Sequence, residues 1–349
     1  MQYYYNPFEP QAPSEMSPQI DYNEQWRALE ELRLRKNYEK GEIKQFSLAL
    51  GIAIVAFVAI QAATAVIAGL FGYTESLTND PVFLYAYSII CSSVLSVALP
   101  FGIVGYYFKK NGQYSKYHII PSKKLGISKL ILWVLFGMMC CIAAQFLVSY
   151  FIQIVYSLTG KTLEAPEYAK SNSVFALFME FLATVIVPAI TEEFAMRCCS
   201  LQLLRKYGKG FAVLCVSVVF GLLHGNIVQF VFAFIIGVIL GYVTVMTDSI
   251  LPAVIIHGAN NGMSVASSVA EYFSGEETSN IVSVVLYVLF AVLGIFATVI
   301  LAKNKQFKSL KTDNTSVLSF GEKMSAFLFP WMIVPFLILI ILTVSSSLL

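Results

Sequence analysis

Apolar residues run along the chain in long blocks, most of them near the roughly 20 residues a helix needs to cross a hydrocarbon layer. The blocks lie near 46–72, 82–108, 129–157, 174–196, 210–224, 227–246, 250–270, 281–302 and 325–346. They predict an all-α, polytopic membrane bundle of about eight to nine transmembrane helices. Only Gly225-Asn226 separates the fifth block from the sixth. Two half-helices are therefore an alternative to two full spans there.

Between the blocks, positive charge falls in alternate loops. Lys109, Lys110, Lys116, Lys123, Lys124 and Lys129 fill one loop. Arg197, Arg205, Lys206 and Lys209 fill another, and Lys303, Lys305, Lys308, Lys311 and Lys323 a third. The loop around 73–80 has no Lys or Arg, and that around 271–280 is acidic through Glu271, Glu276 and Glu277. With nine spans every strongly basic loop lies on one side. Lys and Arg concentrate in cytoplasmic loops, so the expected location is the plasma membrane, multi-pass, with a cytoplasmic N-terminus.

Residues 1–20 contain four Pro among Tyr, Gln and Ser and are expected to form a disordered tail. Residues 22–44 read as a charged helix, with Trp26, Leu29 and Leu32 at helical spacing among Arg27, Arg33, Arg35, Lys36, Lys40 and Lys44. Such a helix lies on the membrane surface or leads, solvated, into the first span. The expected organisation is a cytoplasmic segment 1–45, three accessory spans over 46–173, a core over 174–272 and two C-terminal spans over 273–349.

Composition sharpens this picture. The 349 residues are 57% hydrophobic and 13% charged, against about 25% charged in soluble domains. Mean hydropathy is +0.71. The polar start of the chain has no apolar signal-peptide core. The end, Ser-Ser-Leu-Leu, has no Cys four from the terminus, so the chain is not expected to be prenylated itself. The six Cys lie in or beside apolar blocks without a CxxC pair; they are expected to be small buried hydrophobes. Nothing points to a nucleic-acid partner.

Within these apolar blocks three polar clusters stand out. The first is Thr191-Glu192-Glu193-Phe194-Ala195-Met196-Arg197. The second is Phe220-Gly221-Leu222-Leu223-His224, and the third His257-Gly258-Ala259-Asn260-Asn261. Ionisable residues at membrane depth are costly and mark function. Of the three His, only His118 sits in a basic loop, where it is solvated.

Helix geometry relates the clusters. Glu192 lies 14 residues before Lys206, and His224 lies 15 after Lys209. At 1.5 Å per residue both stand roughly 21–22 Å from the turn joining their helices. His257 and Asn261, four apart, share one helix face. Glu193 and Arg197, also four apart, can pair and orient the helix. Glu192 then remains the free, partly desolvated carboxylate, suited to general-base work. Glu192 with His224 could activate a water, and His257 with Asn261 could donate to an oxyanion, or one imidazole could bind a metal. These are the parts of amide hydrolysis. HExxH and GxSxG motifs and phosphate-binding glycine loops are absent.

The three clusters read EExxxR, FxxxH and HxxxN in that order. At these residues the sequence resembles the CAAX-protease and bacteriocin-processing (CPBP) intramembrane endopeptidases, also called the Abi family, which include CAAX prenyl protease 2-like enzymes. The resemblance covers roughly 174–272. It implies a helical membrane fold with a polar catalytic cavity between core helices. It also implies that Glu192 and His224 activate water while His257 and Asn261 stabilise the oxyanion. It leaves the cofactor open between zinc, held by Glu192, His224 and His257, and none. The implied partners are the lipid bilayer and a membrane-associated protein or peptide substrate. In eukaryotes that substrate is a prenylated CaaX protein. In bacteria it is a membrane-borne peptide or leader, as in bacteriocin processing. The alternative is a non-proteolytic scaffold, immunity factor or cell-envelope regulator of the same fold. A transporter carrying protons on Glu180, Glu192 and Glu193 would need an inverted repeat or broken helices, which the sequence does not display.

Overall fold

The computed structural model describes residues 22–112, 119–164, 170–310 and 316–348. The expected tail at the start of the chain and His118 lie outside them. The charged segment and the first apolar block form one unbroken helix, α1, over Tyr22–Leu70. There follow α2 over Pro81–Lys110, α3 over Ile127–Thr159 and α4 over Val174–Arg205. Then come α5 over Lys209–Leu222, α6 over Ile227–Thr247, α7 over Leu251–Ser274 and α8 over Glu276–Lys303. A short α9, Phe320–Phe327, bends by 73° into α10, Pro330–Leu348. The described residues contain no strand, so the all-α expectation holds.

All nine predicted apolar blocks are helical, and most are membrane-length on their own. Six helices are long and apolar enough to cross a membrane, or seven if the bent α9–α10 pair is one span. The two blocks that fall short carry the histidine clusters. Helix α5 has 14 residues, about 21 Å. Helix α7 is long enough but is interrupted by His257, Asn260, Asn261 and a run of Ser. Shortness sets α5 apart from the other apolar helices, and polarity sets α7 apart.

Local chemistry sets the ends of the helices around the site. The Ser173 side chain accepts from the Ala176 N–H at the start of α4. Asn226 caps α6 by accepting from the Val228 and Gln229 N–H groups; each such cap is worth about 1 kcal/mol. Helix α4 is not uniform. Over Phe181–Ile186 and Phe194–Ser200 it widens into π-helix, with Val187 N–H reaching Leu182 O and Leu201 N–H reaching Met196 O, five residues back. Such wide turns recur at functional sites. A third widens α2 over Ser88–Ala98.

Two buried clusters hold the bundle. One joins α1, α2, the end of α4, α5 and α9–α10 through Ile43, Leu50, Phe101, Leu204 and Phe327. The other joins α3, α6, α7 and α8 through Trp133, Met138, Leu240, Ile256 and Leu301. Cys141, Cys198, Cys199 and Cys215 are free and buried, as expected, whereas Cys91 and Cys140 are only half-buried. Helix α8 keeps Ile281, Val284, Val288 and Phe296 exposed, an apolar face suited to lipid.

Small residues let the helices approach, as is usual in membrane bundles. A Cβ on Gly294 would collide with the Met139 Cβ and come to 2.7 Å from the Leu135 carbonyl oxygen. Neither obstacle is the end of a flexible side chain. Gly294→Ala should therefore prise α8 from α3 and cost about 1–3 kcal/mol, read as a lower unfolding temperature in detergent. Wild-type stability in that variant would contradict the packing described.

The loops sort by charge in three dimensions. Lys206 Nζ lies 2.9 Å from Glu42 Oε1, Arg205 Nη1 2.6 Å from Asp248 Oδ1, and Lys40 Nζ 3.0 Å from Glu322 Oε1. Lys123 N–H donates to Asp248 O and Ile250 N–H to Pro121 O. Residues 36–42, 121–124, 205–209, 248–250 and 316–322 thus gather at one end of the bundle, the basic end. Thr64 on α1 meets Tyr87 on α2 at 2.9 Å. Thr64 is 22 residues from Glu42, so this contact is about 33 Å away, toward the opposite end.

Candidate active site

The three sequence clusters meet on one cavity of about 710 Å³. Glu192, His224, His257 and Asn261 all line it. Residues of both cores contribute to its wall, among them Phe57, Val97 and Phe220 from the first and Ile236 from the second.

Helix α4 presents two adjacent carboxylates with different surroundings. Glu193 is fully buried, with Oε2 3.0 Å from Arg197 Nε and Arg197 itself 1% exposed. The other oxygen, Oε1, accepts from His257 Nδ1 at 2.9 Å. One carboxylate therefore ties α4 to α7 and holds both cations or donors. The four-residue spacing foretold the Arg197 pair. It could not foretell His257, which lies 64 residues further on.

Arg197 is held on its other side by an aromatic ring. Its Cζ lies 5.0 Å from the Phe220 ring centroid, a cation–π contact worth up to about 2 kcal/mol once desolvated. This contact offsets the lack of hydrogen-bond partners at its two terminal nitrogens among the described residues. Phe220 also meets the His224 ring edge-on at 5.0 Å and the His257 ring at 6.1 Å. The aromatic of the second cluster is thus the piece against which Arg197, His224 and His257 are all aligned. The sequence marks Phe220 only as a motif position and gives no hint of this role.

Glu192 faces the cavity. Its Oε2 is buried and has no hydrogen-bond partner among the described residues. His257 Nε2 is its nearest ionic neighbour, at 3.9 Å, too far for a direct hydrogen bond. A buried carboxylate oxygen without a partner is expensive, and a water or substrate group would satisfy it.

The histidine tautomers follow from their partners. His224 Nδ1 lies 2.8 Å from the Phe220 carbonyl oxygen. A carbonyl only accepts, so Nδ1 carries the proton and Nε2 presents a lone pair. His257 Nδ1 faces a carboxylate and so also carries a proton. Its Nε2 donates only when the ring is doubly protonated, and the carboxylates of Glu192 and Glu193 on either side supply the compensating charge.

Asn261 is partly engaged. Its Nδ2 donates to Thr184 O at 2.9 Å, within the first π segment of α4, and its Oδ1 accepts from Asn260 Nδ2 at 3.2 Å. One amide N–H remains for a ligand. Asn260, absent from the motif, fixes which end of the Asn261 amide points outward.

Further along α4 the same cavity contains a buried carboxylate, Glu180. It accepts from Ser171 Oγ at 2.7 Å and from Ser268 Oγ at 2.8 Å. In the sequence Glu180 is visible as a charge in an apolar block, but the two serines that satisfy it are not.

The donor set does not assemble a metal centre. No group of three or more His, Cys, Asp or Glu side chains among the described residues is arranged to hold an ion. His257 Nδ1 is committed to Glu193.

Residues 174–263 match the family described as Type II CAAX prenyl endopeptidase Rce1-like. The match spans α4 to the middle of α7 and contains all three clusters. No curated protein and no solved structure matches the chain.

Proposed function

The chain belongs, through residues 174–263, to the CAAX-protease family of membrane endopeptidases, and from that premise we propose that Glu192 and His224 activate a water to hydrolyse a peptide bond within the membrane. The family makes the chain a multi-pass membrane peptidase with a membrane-associated peptide as substrate. The assignment of roles is the step taken here.

The water sits between the Glu192 carboxylate and His224 Nε2, both of which accept. Glu192 takes a proton as the water oxygen attacks the peptide carbonyl carbon. The carbonyl π electrons move onto oxygen, and the resulting oxyanion accepts from the free N–H of Asn261 and from protonated His257. Preorganised donors of this kind are worth about 2.7–4 kcal/mol each in acyl transfer. Collapse of the tetrahedral species breaks the C–N bond. Glu192 returns its proton to the leaving amine, giving a carboxylic acid and an amine, so the enzyme is restored.

The observation that carries this reading is the contrast between two neighbouring carboxylates. Glu193 is held between Arg197 and His257, while Glu192 is half-buried, lines the cavity and makes no hydrogen bond to a side chain among the described residues. Of the two carboxylates, Glu192 is the one that lines the cavity without an ion-pair partner closer than 3.9 Å.

The test is cleavage of an internally quenched peptide bearing an apolar C-terminal anchor, by the purified protein in detergent. His224→Ala should keep the fold, because His224 is half-buried and bonded only to its own helix turn, and should lose cleavage. Undiminished cleavage by this variant would exclude the water-activating role of His224.

A further inference from the structure

The cavity has a closed end and an open end, and they differ in charge environment. Toward the basic end it is floored by Val97, Met196, Ala233 and Ile236, all buried. Its other end is lined by Tyr85, Lys170, Ser171 and Glu271. There the Lys170 side chain is 83% exposed and pairs with Glu271 at 2.6 Å.

Helix lengths show which face that open end reaches. On α7, Asp248 and Ser249 precede the helix at the basic end, His257 lies near its start and Glu271 near its finish. His257 and Glu271 are 14 residues apart, about 21 Å. On α4, Arg205 closes the helix at the basic end, and Glu192 is 13 residues before it. Glu180 lies 12 residues further still, about 18 Å beyond Glu192. Tyr85 is at the start of α2, on the turn before Tyr87, which meets α1 at Thr64, far from the basic end. Three independent helices thus place the mouth at the face away from the basic loops and Glu192 near mid-depth.

The basic loops are the cytoplasmic ones by the Lys/Arg rule. We propose that the cavity opens on the non-cytoplasmic face, so that the substrate is a membrane protein or peptide whose flexible segment enters from that side after translocation. This rests on the peptidase assignment above and adds the side of entry. The path from the Lys170–Glu271 rim to Glu192 is about 20 Å by helix rise. An extended chain covers about 3.3 Å per residue, so at least about six residues between the last folded or membrane-held part and the scissile bond are needed. A cytosolic chain end would meet the buried floor instead.

Single cysteines test this in sealed membrane vesicles of known orientation, with a membrane-impermeant sulfonated maleimide and the wild-type protein as background. Lys170→Cys at the rim and Ser264→Cys in the cavity wall should label only from the non-cytoplasmic face. Lys123→Cys, in a basic loop, should label only from the cytoplasmic face. Bulk attached at position 264 should also stop the release of fragments that require Glu192. Labelling at 264 from the same face as 123 would overturn the proposal, as would cleavage that survives complete labelling at 264. A wild-type protein releasing no Glu192-dependent fragment would instead refute the peptidase assignment, and the labelling at 264 would still decide which face the cavity opens on.

Discussion

Glu192→Gln should yield a folded, monodisperse membrane protein that has lost cleavage by about 10²–10⁴-fold, the usual contribution of a general base. The amide is nearly the same shape as the carboxylate, so packing is undisturbed. Nothing structural depends on the charge, because Glu192 holds no other side chain by a hydrogen bond among the described residues. What is lost is the ability to take a proton from water and return it to the leaving amine. The effect should fall on kcat, since the side chain acts on the reacting water and not on the peptide's anchoring parts. A fall in KM affinity with unchanged kcat would reassign Glu192 to binding.

Glu193→Gln should behave in the opposite way, damaging the fold itself. It leaves Arg197, 1% exposed, as a buried charge with only the Phe220 ring against it, and it weakens the hydrogen bond that orients His257. Breaking one side of a buried pair costs about 3–5 kcal/mol, a large part of the stability of an ordinary domain. Arg197→Met should cost a similar amount by stranding Glu193. Combining Glu193→Leu with Arg197→Met removes both charges and should recover much of the loss in thermal unfolding. It should not recover cleavage, because His257 would still lack its Nδ1 partner. Single variants that unfold at the wild-type temperature would show that the buried Glu193–Arg197 pair does not hold the fold.

These two outcomes divide a Glu-Glu pair that looks symmetric in the sequence, and the division was partly readable there. Residues four apart on a helix share a face, so the Glu193–Arg197 pair and the freedom of Glu192 follow from spacing alone. The similar depth of Glu192 and His224 followed from counting residues to a shared turn. Contacts between helices did not follow in the same way. His257 was expected to work on the oxyanion, and spacing gave no sign that its Nδ1 is committed to Glu193. Which face of α4 meets α7 depends on rotation about the helix axis, and each π turn inserts a residue that turns the downstream face by about 100°. The two π segments of α4 flank Glu192 and Glu193 and carry no sequence signature. Phe220 was hidden for a simpler reason: an aromatic in an apolar helix is usually core, and only the folded arrangement sets Arg197 and two imidazoles against its ring. Helix α7 is less apolar than its neighbours α6 and α8 because it buries His257 and Asn260 on one face, while hydropathy sums all faces.

The most direct test compares the membrane peptide fragments released in cells carrying the wild-type chain with those in cells carrying Glu192→Gln at equal abundance. A peptidase that depends on Glu192 releases a defined set of fragments with wild type that is missing with the variant, and this is the expected result. Identical fragment sets from the two would contradict it.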